Sequence, residues 1–297
     1  MKKSGKIITV LLAVSLAVTM AGCTKKDETI RIASKPMTEQ YILTEMIKQL
    51  IEADTDLKVE ITKGVGGGTT NIHPAMLKGE FDIYPEYTRT AWFSVLKRED
   101  NPEDETLYQE LQTEYEKLGL VFGDLYGFSN SYGLAVRKDT AEQYHLTTFS
   151  DLAAVSDQLI FGGNYDYIEK EDGYPLLCSA YGMKFKDTLD MEIALKYTAL
   201  LQKDIDVMNA FTTDAQLTNP ELVLLSDDKQ FFSSYLAGTV IRKETLDRYP
   251  ELKEVLAKMS GLISEADMIR MNYDVEVNGM EDVEVAHNFL KEKGLLP

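Results

Sequence analysis

Cys23 is the residue whose surroundings predict chemistry most directly. It follows the small pair Ala21-Gly22, and a cationic start within residues 2–6 and an apolar run at residues 7–20 precede that pair. Such a run is typical of a secretory signal and is short for a membrane span. Small residues before a cysteine are typical of a bacterial lipobox, although Met20 stands where Leu is commoner. We therefore expect acylation of Cys23 and a lipid-anchored, extracytoplasmic protein; the alternative is a secreted protein with a chance cysteine.

The other candidates for catalysis or metal binding lack suitable neighbours. His73, His145 and His287 are scattered without ligand spacing, and Cys178 lies in a helical pattern typical of a core residue. The glycines of residues 64–68 lack the Lys-Ser/Thr of a P-loop and the dinucleotide-binding spacing, so they indicate a turn that brings backbone close to a cleft. No nucleophile elbow or convincing acid pair is present. We therefore expect no catalytic residue, no metal, no cofactor and no enzyme activity.

Acidic residues outnumber basic residues along the chain. There are 49 acidic and 31 basic residues, a formal net charge of −18; without Lys2, Lys3 and Lys6 of the signal, 28 basic residues remain and the charge becomes −21. A chain this acidic does not neutralise phosphates, so we expect no nucleic-acid partner.

Strand-like and helix-like segments alternate along the sequence. Apolar runs predict strands at 30–33, 57–61 and 81–84, and helical spacing predicts helices at 39–53 and from Thr70. This order predicts a mostly parallel sheet with helices on both faces. A charged helix is predicted at 102–118, and a second α/β series follows it. This series has strands at 159–161, 207–210 and 222–225 and a helix at 191–202. The remainder, 243–297, is predicted to be helical.

Two similar strands flank the second series, at 133–137 and 237–242. They predict two lobes hinged around a ligand cleft, with Gly133 and Gly238 absorbing the change in backbone angles. The predicted division is a signal at 1–22, a tether at 23–29, a first lobe at 30–132 plus 237–297, and a second lobe at 133–236.

Seven segments share their order along the chain with one protein family. They are Ser34-Lys35 with Thr38-Glu39-Gln40, Gly66-Gly67-Gly68-Thr69-Thr70-Asn71, Asp82-Ile83-Tyr84-Pro85-Glu86-Tyr87-Thr88, Ser131-Tyr132-Gly133-Leu134-Ala135-Val136-Arg137, Glu171-Asp172-Gly173-Tyr174-Pro175, Asn209-Ala210-Phe211-Thr212-Thr213-Asp214 and Met271-Asn272-Tyr273. Together they resemble the glycine betaine/choline-binding proteins of osmoprotectant ABC importers. The resemblance implies an α/β fold of the two-lobed type II solute-binding class, and capture of a quaternary ammonium solute for an ABC permease.

The resemblance also implies an aromatic cage made by Tyr87, Tyr132, Phe211 and Tyr235. A trimethylammonium head donates no hydrogen bond and spreads its charge over methyl groups, so aromatic faces within about 6 Å hold it best. Phe211 stands where Tyr is common in the family, which keeps the ring and removes a hydroxyl. The four residues lie at strand ends or crossings, where a cleft between lobes is expected.

The same resemblance places Lys35, Thr90 and Lys170 at the carboxylate end of a betaine. Lys170 replaces an Arg of the family, and lysine offers a point charge where arginine grips a carboxylate with two parallel hydrogen bonds. Arg89 could supply the missing guanidinium or point to solvent, and we favour solvent. The neutral Thr90 favours zwitterions over choline.

The expected partners are a small quaternary ammonium compound, an ABC permease and the lipid surface, and the expected state is a monomer. A surface-anchored enzyme and a ligand sensor on the same two-lobed scaffold remain alternatives.

Overall fold

Two five-stranded sheets organise the chain in the computed structural model, which describes residues 29–169, 173–192 and 195–297. Cys23, the predicted signal and Lys170 therefore lie outside the described residues. The strands are β1 (Thr29–Ala33), β2 (Lys58–Thr62), β3 (Ile83–Tyr87), β4 (Leu120–Ser129), β5 (Tyr132–Arg137), β6 (Ile160–Gly163), β7 (Asp187–Asp190), β8 (Val207–Phe211), β9 (Leu222–Leu225) and β10 (Leu236–Arg242).

Helices cover both sheets. They are α1 (Thr38–Asp54), α2 (Thr69–Leu77), α3 (Thr88–Thr90), α4 (Asp104–Lys117), α5 (Lys138–Tyr144), α6 (Phe149–Ala153), α7 (Tyr165–Glu169), α8 (Tyr174–Tyr181), α9 (Lys196–Gln202), α10 (Lys243–Arg248), α11 (Leu252–Ala257), α12 (Glu265–Glu276) and α13 (Asp282–Glu292). A π-helical turn at Ala91–Val95 continues α3, and 3₁₀ turns lie at Ser156–Gln158 and Ala215–Thr218. Within the described ranges no helix is both long and apolar enough to cross a membrane.

The first sheet has the order β2-β1-β3-β10-β4, and we call it with its helices the first lobe. Strands β1, β2 and β3 are parallel, whereas β10 runs antiparallel between β3 and β4. The predicted apolar face of α1 is buried against this sheet together with Val255, Met268 and Phe289 from the C-terminal helices. The C-terminal helices thus complete the core that the first ninety residues begin.

The second sheet has the order β7-β6-β8-β5-β9, and we call it with its helices the second lobe. Its centre, β8, pairs parallel with β6 and antiparallel with β5. Phe149, Phe161 and Leu177 fill its core. The expected α/β class with two sheets is confirmed.

Two strands were not predicted, and one helix is shorter than predicted. Gly123 and Gly127 interrupt the apolar pattern of β4, and β10 pairs with it through register shifts. Strand β7 is a polar edge that pairs only with β6, so no buried face marks it in the sequence. Helix α9 begins five residues later than predicted, and the amide of Met191 instead donates to the carbonyl of Gly163, which extends the β6–β7 ladder.

The chain crosses between the sheets twice, and the crossings are bonded to each other. The backbone amide of Asn130 donates to the carbonyl of Tyr235 (3.0 Å), and the backbone amide of Tyr235 donates to the hydroxyl of Ser129 (2.8 Å). The role of Gly133 and Gly238 as flexible points stays a prediction. Both lie inside paired strands, and a Cβ at Gly133 would lie 2.7 Å from the side chain of Leu224. The absence of a side chain at Gly133 therefore permits close packing.

Candidate ligand-binding cleft

A cleft of about 1170 Å³ opens beside the two crossings. Both lobes and both crossings contribute to its lining, which includes Phe93, Glu99, Asn101, Ser131, Tyr132, Tyr165, Tyr167, Glu169, Phe232, Ser233 and Tyr235. The described lining contains two carboxylates and no lysine or arginine. A cleft lined by aromatic rings and carboxylates favours a cationic group.

An aromatic shelf, which we define as Tyr132, Tyr167, Phe211 and Phe232, lies between this cleft and a neighbouring cavity. Tyr132 and Phe211 face each other across the β5–β8 pair, with ring centroids 4.8 Å apart and nearly parallel planes. The rings of Tyr167 and Phe232 also contact the ring of Tyr132, with centroids 5.5 and 5.7 Å from its centroid. Tyr132 and Phe211 are each 38% exposed, so the shelf keeps ring surface open to a ligand.

The stacked pair also separates two cavities. Tyr132 lines the large cleft, whereas Phe211 lines a neighbouring cavity of about 350 Å³ together with Glu39, Tyr41 and Asn130. Tyr235 lies in the second crossing and lines the large cleft with Tyr132. Of the four predicted cage residues, Tyr132 and Tyr235 thus line the large cleft, and Phe211 stacks on Tyr132 from the side of the neighbouring cavity.

Four residues of the first lobe form a buried group that we call the first-lobe wall: Lys35, Thr69, Glu86 and Tyr87. Lys35 forms an ion pair with Glu86, which is completely buried on β3. Glu86 also accepts hydrogen bonds from the Thr69 hydroxyl (2.6 Å) and from the amide of Tyr87 (2.7 Å). Because Glu86 neutralises Lys35, this lysine is not a free charge for a ligand carboxylate.

Tyr87 belongs to the first-lobe core. Its ring lies under the ammonium of Lys35, 4.6 Å from the centroid, and its hydroxyl donates to the carboxylate of Glu39. Burial, together with the nearby Glu39, raises the pKa of Tyr87 well above its usual value. Among the described residues Tyr87 makes no ring contact with the aromatic shelf, so the structure does not join it to the other cage positions directly.

Glycines position the first-lobe wall. Gly67 and Gly68 adopt positive φ at the start of α2, and the backbone of Gly68 lies against the side chain of Lys35. The close approach of these glycines is thus to Lys35, and the predicted approach to the cleft stays a prediction.

The predicted carboxylate end is only partly described. Thr90 is half-buried at the end of α3, and Lys170 lies outside the described ranges. The expectation that Arg89 points to solvent is wrong: it is 4% exposed and forms an ion pair with Asp104 at 2.6 Å. Arg89 also donates to Asn101, whose amide donates to the Ser233 hydroxyl (3.0 Å). This arginine therefore holds Asn101, a residue of the cleft lining, in place.

Sequence reasoning missed two buried carboxylates, Glu39 and Glu86. Each had a signal: Glu86 is a charged residue within the fully buried strand β3, and Glu39 lies in one of the seven motif segments. It also missed Tyr167 and Phe232, which lie on α7 and in a loop, so that only tertiary packing brings them to Tyr132.

The comparisons with known proteins agree with this architecture. Residues 28–292 match the family described as the substrate-binding domain of the ABC-type glycine betaine transport system. The chain belongs to this family. The resemblance inferred from the seven segments is therefore confirmed, and members of the family are extracytoplasmic substrate-binding proteins of transporters and not enzymes.

Two relatives are similar to this chain over most of its length. It is 40% identical, over 91% of its length, to an ergothioneine transport permease/ergothioneine binding protein of Helicobacter pylori, and it spans 48% of that longer protein. It is 38% identical, over 91% of its length, to the carnitine transport binding protein of Listeria monocytogenes and spans 88% of it. The chain thus spans about half of the first relative and most of the second.

A solved structure supports the two-lobed fold. The crystal structure of a glycine betaine/carnitine/choline ABC transporter superposes with a TM-score of 0.85 at 34% identity, covering 90% of this chain and 99% of that one. The predicted two-lobed solute-binding fold is therefore confirmed for this family member.

Proposed function

We propose that this binding protein captures a trimethylammonium carboxylate, that is, a betaine, in the cleft and delivers it to an ABC permease. The observation that carries the proposal is the exposed, stacked pair Tyr132–Phe211, whose Tyr132 ring lines the cleft together with Tyr235. Exposed aromatic faces of this kind provide a cation–π surface of roughly 0.5–2 kcal/mol per ring. Glycine betaine, carnitine and ergothioneine, which the relatives and the family are named for, all carry this head group.

Thr90 and Lys170 form the proposed polar end of the ligand site; Lys35, the third predicted residue, is already paired with Glu86. Cys23 is the proposed lipid anchor, and a monomer on the outer surface of the membrane is the proposed state. The proposed division remains a signal at 1–22, a tether at 23–29, a first lobe at 30–132 plus 237–297 and a second lobe at 133–236.

A choline-like cation without a carboxylate is the second candidate. Glu86 neutralises Lys35, and Glu99 and Glu169 add negative charge to the described cleft lining. Both features favour a net positive ligand over a zwitterion.

Isothermal titration calorimetry against a matched panel tests the proposal. The panel contains glycine betaine, carnitine, ergothioneine, choline and tert-butylacetate, which has the shape of glycine betaine without the positive charge. We expect a betaine to bind with a Kd below about 1 mM and tert-butylacetate to bind at least about tenfold more weakly than glycine betaine.

The outcomes separate the candidates. Choline binding more tightly than every betaine would select the second candidate. Absence of binding by any quaternary amine, with binding of another solute class, would overturn both. Recovery of the bound ligand unchanged after prolonged incubation separates a binding protein or sensor from an enzyme, and uptake by a reconstituted permease separates transport from sensing.

A further inference from the structure

Three of the seven motif segments meet behind the cleft, at a buried carboxylate. We define the Glu39 cluster as Glu39 on α1, Tyr87 on β3, Asn130 in the first crossing, Thr213 after β8 and Asn272 on α12. Glu39 accepts hydrogen bonds from the Tyr87 hydroxyl, from the Asn130 amide (3.0 Å) and from the Thr213 hydroxyl (2.8 Å). Asn272 donates to the carbonyl of Thr213 (2.9 Å). The cluster therefore joins both lobes and one crossing.

Burial makes these hydrogen bonds important for Glu39. Its surface is 2% exposed, and within the described residues it forms no ion pair, because the nearby Lys35 pairs with Glu86. A buried carboxylate without a cation depends on its hydrogen-bond donors, and each donor is held in place in return. Three neutral donors from three parts of the fold thus converge on one group.

Two of these donors have functional neighbours. The hydrogen bond from the Tyr87 hydroxyl to Glu39 holds the outer end of a ring that the sequence predicts for the cage. The backbone amide of Tyr87 donates to Glu86, which holds the other end of the residue. Thr213 follows Phe211 of the aromatic shelf by two residues. A single carboxylate therefore touches the first-lobe ring at one oxygen and the strand end that carries the shelf at the other.

The first crossing is tied to the same strand end. The amide of Ser131 donates to the Thr212 hydroxyl (3.0 Å), and the amide of Thr212 donates to the carbonyl of Ser131 (2.8 Å). Rotation of one lobe against the other would change the distance between the Glu39 carboxylate and the Thr213 hydroxyl, since the two residues belong to different lobes. The orientation of the lobes and the orientation of Tyr87 are thereby linked through Glu39.

We propose that Glu39 is a positioning residue for ligand binding: it orients Tyr87 and couples that ring to the relative position of the lobes. The proposal deepens the proposed function, on which its ligand-binding arm rests. Glu39 does not touch the ligand in this arrangement; it acts through Tyr87 and Thr213.

A double-mutant cycle tests the link to Tyr87, with glycine betaine as the probe. Glu39→Gln keeps the shape and removes an acceptor, and we expect it to weaken binding at least about tenfold. Tyr87→Phe should weaken binding several-fold in the natural protein and by less than about twofold in the Glu39→Gln background. The control is Glu45→Gln, a buried carboxylate of the same helix that pairs with Lys63, and its affinity should stay within about twofold.

Hydrogen exchange of the ligand-free protein tests the link between lobes. Glu39→Gln should speed exchange in the segments 129–133 and 211–215, and Glu45→Gln should not. If Glu39→Gln fails to fold, Thr213→Val removes only the interlobe donor and should speed exchange in the same two segments.

The proposal is overturned if Glu39→Gln changes neither affinity nor exchange, or if Tyr87→Phe has its full effect in the Glu39→Gln background. If the natural protein does not bind glycine betaine, the proposed function loses its support, and the exchange comparison alone then decides the role of Glu39.

Discussion

In the first-lobe wall the polar groups are almost completely buried and held by hydrogen bonds, whereas in the aromatic shelf the rings contact each other and Tyr132 and Phe211 are open to solvent. Glu86 is fully buried and is bonded by Lys35, Thr69 and the backbone of Tyr87. Tyr132 and Phe211 instead keep more than a third of their surface exposed. The wall is therefore held by partners within the protein, and the shelf is the proposed recognition surface.

The difference in burial between the first-lobe wall and the aromatic shelf follows from the chemistry of their side chains. A buried charge needs a fixed set of partners, because an unpaired charge in a core is strongly unfavourable. Aromatic rings tolerate exposure, because they lose little when one face meets water and gain when a cation covers it. Stability should therefore depend on the wall, and affinity on the shelf.

The largest expected effect is on stability, at the Lys35–Glu86 pair. Lys35→Met leaves Glu86 buried without its cation, so the free energy of unfolding should fall by about 3–5 kcal/mol. Urea denaturation measures it. The control is Lys63→Met, whose ion pairs with Glu45 and Asp282 lie at a partly exposed side chain and should contribute about 1 kcal/mol or less. Equal losses in the two variants would contradict the contrast.

Tyr87→Phe comes next, because it takes one donor from the buried Glu39. The free energy of unfolding should fall by about 1–3 kcal/mol, since a charged acceptor is left underbonded. Tyr126→Phe is the matched comparison, because the equally buried Tyr126 hydroxyl bonds the neutral hydroxyl of Thr239. Thermal or urea unfolding should show the larger loss for Tyr87→Phe, and the reverse order would argue against a charged partner at this ring.

Phe211→Ala tests the shelf as the recognition surface. Loss of one cation–π face should weaken glycine betaine binding by about 1–2 kcal/mol, roughly five- to thirtyfold in Kd by calorimetry. Leu118→Ala, at a similarly exposed apolar residue outside the cleft, should leave Kd unchanged. Unchanged binding in Phe211→Ala would remove this ring from the cage.

The smallest expected effect is on the pH dependence of the unfolding free energy, at His73, which interacts with Glu86 of the first-lobe wall. His73 lies on α2, and burial lowers its pKa below the usual value although Glu86 partly opposes this. The unfolded chain therefore binds the proton more readily, so stability is full above the usual histidine pKa of about 6.5 and falls as the pH drops towards the lowered value. Between about pH 7.5 and pH 5.5, His73→Gln should lose less unfolding free energy than the natural protein. His287→Gln, at an exposed position, should behave like the natural protein.

Much of the fold could be predicted from local pattern. The strands 30–33 and 57–61 and the helix at 39–53 match β1, β2 and α1 closely, because their apolar residues recur with the period of a strand or a helix. The strand predicted at 81–84 overlaps β3 only at Ile83 and Tyr84, since β3 is buried along its whole length and continues to Tyr87. Strand β7 could not be predicted, since a polar edge strand forms only where β6 offers a partner. The candidate site was predicted less completely: motif position suggested four rings around one ligand, but Tyr87 packs into the first-lobe core.

The sequence by itself determined the family, the α/β alternation and the aromatic and basic residues available to a ligand, because these depend on residue types in order along the chain. Only the tertiary structure decided which groups are already partnered. Lys35 is neutralised by Glu86, Arg89 is bound by Asp104, and Glu39 joins Tyr87 to Thr213. Such partners come from residues 15 to 174 positions apart, and only the packing of sheets and helices brings them within hydrogen-bonding distance.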